Sequence, residues 1–208
     1  MLASGSPRRS ELLGRLGVEL EIQPPRGEEP RPIPGEEPGH YAKRVAAGKA
    51  REVFDPERGA LCLAADTVVA GGGAILGKPR SLGEARSMLA ALSGRPHRVV
   101  TGMTLWDPTG RVGPAEGWFR DSDEGGAAVW SAAEETRVYF RTLGSEEIDA
   151  YLAVDESMDK AGAYAIQSVG IALLEKVDGC YSNVVGLPLA RLIALLASVR
   201  VDTSGAHR

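Results

Sequence analysis

The stretch Ala60-Leu61-Cys62-Leu63-Ala64-Ala65, followed at once by Asp66-Thr67-Val68-Val69-Ala70, decides the fold. A short, unbroken apolar run is the pattern of a strand covered on both faces, so layers are expected on either side of a sheet. Gly71-Gly72-Gly73 then separates Val68-Val69-Ala70 from Ala74-Ile75-Leu76, which predicts a hairpin. Asp66-Thr67 follows the apolar run directly, and the end of a strand is where α/β sheets place their ligands.

Upstream, residues 41–54 have helical spacing, with Tyr41, Val45, Ala46, Ala50 and Val53 facing inward. Residues 24–39 are rich in Pro, Gly and Glu and read as loop. Before them, Ser6 can cap a helix, Pro7 suits its first position, and Gly17 can end it; Leu12, Leu13 and Leu16 share one face. Downstream, Ser81-Leu82-Gly83-Glu84 fits a capping box for a helix stopping at Gly94. Residues 97–106 are rich in β-formers. Residues 107–132 lose periodicity and read as a long, mobile loop. A strand is expected over 136–142, a helix from Ser145 to about Val154, a strand over 171–177, and a last helix after Gly186-Leu187-Pro188. This alternation predicts an α/β fold with a mixed sheet, a single domain over residues 1–201 and a frayed tail at 202–208.

Composition narrows the function. The apolar fraction is 43% and the charged fraction 25%, ordinary for a globular protein that needs no disulfide or metal staple. Cys62 and Cys180 lack any C-x-x-C spacing and read as reduced, buried thiols. No apolar run is long enough to span a bilayer, and the opening residues lack the order of a signal peptide, so a cytoplasmic protein without a membrane partner is expected. Net charge is −4 and aromatics are 5%, which argues against nucleic acid as a partner. A small anion needs only a local positive cluster.

Four fragments can supply one. Ser4-Gly5-Ser6-Pro7-Arg8-Arg9 joins a small-residue loop to a helix N-terminus, where backbone N–H groups and guanidinium forks suit phosphate; the competing account is a capped surface helix with solvated arginines. Asp66 can hold a divalent cation or take a proton from water, or simply cap a turn. Gly77-Lys78-Pro79 presents an ammonium after the hairpin, for a phosphoryl oxygen or for solvent. Asp159-Lys160 sets an acid beside a base in a small-residue segment, as metal and phosphate ligands or as a salt bridge. Glu28 and Glu29 add loop carboxylates, and Asn183 reads as a turn residue before the last helix. His97 and the other histidines show no ligand spacing. The inventory suits metal-assisted hydrolysis of a phosphoanhydride.

At this point the chain resembles the Maf family of nucleotide pyrophosphatases. Leu2-Ala3-Ser4-Gly5-Ser6-Pro7-Arg8-Arg9, Ala65-Asp66-Thr67-Val68-Val69 and Leu76-Gly77-Lys78-Pro79 come in family order. Leu92-Ser93-Gly94-Arg95, the segment from Asp159 to Gln167, and Tyr181-Ser182-Asn183-Val184-Val185-Gly186-Leu187-Pro188 follow. The resemblance implies an elongated mixed sheet with flanking helices in two lobes around a nucleotide cleft. It implies cleavage of the α–β phosphoanhydride of a nucleoside triphosphate with Mg²⁺ or Mn²⁺, and a homodimer as in several members. Carried over by motif, Asp66 is the essential acid, as general base or metal ligand. Ser6, Arg8, Lys78 and Lys49 hold the triphosphate, Glu29 is the loop metal ligand, and Asp159 and Lys160 complete the metal and phosphate shell. Arg9, Thr67 and Gln167 match the branch that prefers thymidine and uridine triphosphates, with modified pyrimidine nucleotides as further candidates. The alternative is a nucleotide-binding regulator of cell division with little turnover.

Overall fold

The computed structural model describes residues 1–154 and 157–200; the tail expected to fray lies outside them. Helices α1 (Pro7–Gly14) and α2 (Pro38–Val53) precede strands β1 (Cys62–Gly71) and β2 (Ala74–Leu76). Helix α3 (Leu82–Leu92), strands β3 (Pro96–Asp107), β4 (Phe119–Glu124) and β5 (Ala127–Phe140), and helix α4 (Ser145–Leu152) follow. Strand β6 (Leu174–Asp178) and helices α5 (Tyr181–Val185) and α6 (Leu189–Leu196) close the chain.

The strands form a six-stranded sheet in the order β2-β1-β3-β5-β4, with β6 also on β5. Every pair of these strands is antiparallel. The parallel component of the mixed sheet is confined to Leu2, which bridges Ile22 and Leu63. Alternation along β1 divides the core. Cys62, Ala64 and Val68 join the packing around α2, whereas Leu63, Ala65 and Val69 join the clusters on the opposite face. There, one cluster gathers Leu12, Leu13, Leu192 and Leu195 of α1 and α6, and another gathers Leu89, Leu92 and Ile148 of α3 and α4. Each buried leucine contributes about 2 kcal/mol of transfer free energy.

One glycine fixes how α2 lies. A Cβ on Gly102 of β3 would stand 2.3 Å from the backbone of Ala42 and Lys43, so helix and strand touch backbone to backbone. Gly102 is paired with Asp66 across the sheet. The close approach therefore sets α2 directly over that part of β1.

Three expectations need correction. Residues 107–132 are not a long loop: β4 and the start of β5 lie within them, joined through Gly125 and Gly126, whose φ angles of 57° and 81° suit a tight hairpin turn. Acidic residues exposed on β4 hid the alternation. Residues 62–71 form one strand where two segments were expected, so Asp66 sits in mid-strand instead of at a strand end. Residues 168–173 coil as a 3₁₀ turn before β6, and α5 was not foreseen.

Candidate active site

The edge of β1 is left open over a short stretch. Ala3 donates its N–H to the Leu63 carbonyl at one end, and β2 begins pairing only at Val69 at the other. Between them lie Asp66 and Thr67, and at this gap a cleft of about 900 Å³ opens. Its walls come from residues 4–9, the loop around Glu29, Lys49, the β2 end with Lys78, and the segment from Asp159 to Gln167.

On the α2 face, Lys49 lies two helical turns beyond Ala42, on the side that Gly102 draws against the sheet. Its ammonium sits 2.7 Å from Asp66 Oδ1 and 2.6 Å from Glu29 Oε1. Asp66 is buried, with 6% of its surface exposed. Burial opposes ionisation of Glu29, but its hydrogen bond to Lys49, with the charges of Lys78 and Arg9, holds its carboxyl below the usual range. Glu28 is exposed and does not line the cleft, so the loop acid brought to the site is Glu29.

On the other face the centre is Arg9. A solvated side chain was the competing account of its motif, but Arg9 is buried and satisfied on three sides. Its Nε donates to the Gly186 carbonyl at 2.9 Å, Nη1 to Ser4 Oγ at 3.2 Å, and Nη2 to Thr67 Oγ1 at 3.1 Å. Desolvation lowers its pKa, opposed mainly by the charge of Asp66. Gly186 has φ 126°, beyond the easy reach of residues with a side chain. Gln167 lines the same cleft next to Ile166.

Toward the mouth, Lys160 pairs with its neighbour Asp159, and Arg8 approaches Asp159 at 3.9 Å. Burial pushes the Asp159 carboxyl up, while Lys160 and Arg8 more than reverse that and leave it lowered. Ser6 occupies the cap position of α1 without a side-chain capping bond; its N–H donates to Ser4 Oγ at 3.2 Å. The turn bearing Lys160 is tied to the lysine loop, since Gly162 donates its N–H to the Gly77 carbonyl at 3.1 Å. Every residue assigned to the site, namely Ser6, Arg8, Arg9, Glu29, Lys49, Asp66, Thr67, Lys78, Asp159, Lys160 and Gln167, lines this one cleft.

Among the described residues, no three His, Cys, Asp or Glu side chains gather closely enough to hold an ion on their own. Glu29 and Asp66 nonetheless converge on one cationic nitrogen. A pair of hard carboxylate oxygens, completed by water and phosphate oxygens, is a usual donor set for magnesium, so the chemistry of these two residues fits a Mg²⁺ or Mn²⁺ ion.

Two residues of the site's support were missed. Thr101 is fully buried behind Thr67, and Asn183 is a buried anchor, not a turn residue: its side-chain amide donates to the Val99 carbonyl and to Thr136 Oγ1, each at 3.0 Å. Thr101 lies in a run of β-formers that carries no polar signature. No helix among the described residues is long and apolar enough to cross a membrane.

A sheet opened at one edge over a basic, carboxylate-bearing cleft is a site suited in charge to a compact anion. Residues 1–199 match the family described as Maf-like protein, and the chain belongs to that family. It is 47% identical over 196 residues to the dTTP/UTP pyrophosphatase of Anaeromyxobacter dehalogenans, a match covering 94% of this chain and 91% of that one. It is 43% identical to the dTTP/UTP pyrophosphatase of Syntrophomonas wolfei, with 94% and 95% covered. The protein of the same name from Citrifermentans bemidjiense is 42% identical, with 94% and 93% covered.

Proposed function

We propose that this chain hydrolyses dTTP and UTP at the α–β phosphoanhydride, releasing the nucleoside monophosphate and pyrophosphate. The observation that carries the reading is the placement of Asp66 and Thr67. Adjacent residues of one strand deliver an ion-paired Lys49–Asp66–Glu29 group and an Arg9–Thr67 hydrogen-bonding group to a single cleft. The first suits a phosphoanhydride and the second a nucleobase. The names of the relatives supply the substrate class.

Arg8, Lys78 and Lys160 offer cationic donors around the triphosphate, neutralising charge that would otherwise repel the attacking oxygen. In this reading Asp66 orients a water toward the α-phosphorus and accepts its proton. Lys49 fixes Asp66 and Glu29 in place, with two short contacts from one ammonium. A divalent cation held by Glu29 and Asp66 with phosphate oxygens would neutralise charge on the pyrophosphate as it leaves. Gln167 presents an amide that can donate to and accept from a pyrimidine edge.

The test is a nucleoside triphosphate panel with magnesium or manganese, with products separated. Pyrophosphate released preferentially from dTTP and UTP is the expected outcome. Orthophosphate as the product would move the cleavage to another bond, and the absence of metal-dependent turnover would leave a binding protein.

A further inference from the structure

Thr101 does not reach the cleft, yet it determines what Thr67 can offer there. It is fully buried and stands opposite Thr67 in the β1–β3 register. Their hydroxyl oxygens are 2.9 Å apart, and Thr101 also donates to the main-chain carbonyl of Asn183 at 3.2 Å. Each hydroxyl has one proton, so two directions satisfy the count, and the distances select between them. The arrangement with the shorter contacts puts the Thr101 proton on the Asn183 carbonyl at 3.2 Å. Thr67 then donates to Thr101; its alternative acceptor, the Gly186 carbonyl, lies farther off at 3.4 Å. Arg9 Nη2 has only protons to give and donates into Thr67 Oγ1. The chain runs one way, from Arg9 to Thr67 to Thr101 to Asn183.

The anchor at its far end is rigid. The Asn183 amide is bound to β3 through Val99 and to β5 through Thr136. The Thr136 hydroxyl in turn donates to the Cys180 carbonyl and accepts the Cys180 N–H, at 3.1 and 3.0 Å. Helix α5 is thereby fixed across two strands, and with it the carbonyl that orients Thr101.

We infer that Thr101 is a positioning residue for base selection, acting by committing the Thr67 proton inward so that Thr67 faces a ligand as a hydrogen-bond acceptor only. This deepens the proposed function and rests on its placement of the base beside Arg9 and Thr67. An acceptor flanked by a guanidinium donor complements the N3–H and O4 of uracil or thymine. Cytosine presents an unprotonated N3 and an amino group at the same edge, so the relay leaves two acceptors facing each other and a donor facing a donor. A site built on such polarity discriminates through the unpaired groups that the wrong base leaves behind.

The test compares Thr101→Val, which keeps the shape but cannot accept from Thr67, with Thr101→Ser, which keeps the hydroxyl. Binding of the α,β-methylene analogues of UTP and CTP, measured by calorimetry, gives a ratio that needs no turnover; kcat/KM for UTP and CTP gives a second. Thermal melting reports folding. The expected result is that Thr101→Val lowers the uridine-over-cytidine ratio about tenfold in both readouts, whereas Thr101→Ser retains it. An unchanged ratio in folded Thr101→Val overturns the inference, as does an equal loss in Thr101→Ser, which would mark a packing role. If Thr101→Val does not fold, Thr101→Cys, whose sulfur is only a weak acceptor for the Thr67 proton, takes its place under the same criteria. A wild-type protein that binds both analogues equally overturns the base assignment itself, and one that binds them selectively without turnover overturns only the reaction.

Discussion

Asp66 and Thr67 are neighbours in β1 whose side chains project to opposite faces of the sheet, and both line the same cleft. Such neighbours are normally separated by the sheet itself. Here the sheet stops at them, because β2 reaches only to Val69 and Leu2 bridges only to Leu63. The cleft wraps around the exposed strand edge, with the Lys49 ion pairs on the side of α2 and the Arg9 and Thr67 hydrogen bonds on the side of α5.

The first prediction concerns the ionic side. Asp66→Asn preserves the size of the side chain and its bond to Lys49 Nζ, while removing the carboxylate. The variant is expected to fold and to lose at least about 100-fold in kcat, the usual cost of losing a positioned acid–base group. Steady-state assay alongside thermal melting checks it. A folded variant with near-normal turnover would show that Asp66 is not the essential acid.

Lys49→Met is expected to move the acid limb of the pH–rate profile upward. Lys49 supplies the leading stabilisation of ionised Glu29, so its loss raises the Glu29 pKa and a higher pH is needed to ionise it. Activity falling with acid at the same pH in both proteins would dissociate Glu29 from that limb. The decisive measurement is kcat/KM from pH 4 to 8, since that parameter follows ionisations of the free enzyme.

Much of this was legible in the sequence, and for different reasons in different places. Helices α2 and α3 show their apolar spacing, and Ser81 caps α3 by accepting the Glu84 N–H, as the capping box implies. The site residues were gathered by ordered motifs, each too short to decide alone. What could not be read was whatever depended on tertiary neighbours. Nothing in Arg9 says that it will be buried against Gly186, and nothing in Thr101 distinguishes it from other strand threonines. Asp66 was placed at a strand end because a polar pair after an apolar run resembles a terminus. It lies in mid-strand because its charge is met by Lys49 from the helix above.

His97 predicts an acid instability unrelated to catalysis. It is buried between Phe140 and Tyr164, shares a 2.7 Å hydrogen bond with the Tyr164 hydroxyl, and desolvation lowers its pKa from 6.5 to about 4. The unfolded chain therefore binds the proton more readily. Stability is intact above pH 6.5, declines as pH falls, and by pH 4 has lost up to roughly 3 kcal/mol from this group. Urea unfolding across that range checks it, with His97→Phe expected to flatten the decline between pH 6.5 and 5, where carboxylates contribute little. An identical slope in the variant would assign the loss to other groups.

The last prediction tests whether backbone contact between α2 and β3 aims Lys49 at Asp66 and Glu29. In Gly102→Ala the added methyl would lie 2.3 Å from the backbone at Ala42, where no flexible side chain can yield. The helix must lift, at a cost of about 1–3 kcal/mol or more as overpacked cores show. Lifting α2 also withdraws Lys49, which spans from it to Asp66 and Glu29 at contact distance. Thr101 and Thr67 do not depend on α2 for their bonds, which go to Arg9, Asn183 and Gly186. The variant is therefore expected to lose kcat while still preferring uridine over cytidine nucleotides. Melting temperature, kcat and the base ratio measured together separate the outcomes: loss of all three would mean that the sheet edge itself had collapsed, and retention of kcat would mean that Lys49 is aimed by something other than this contact.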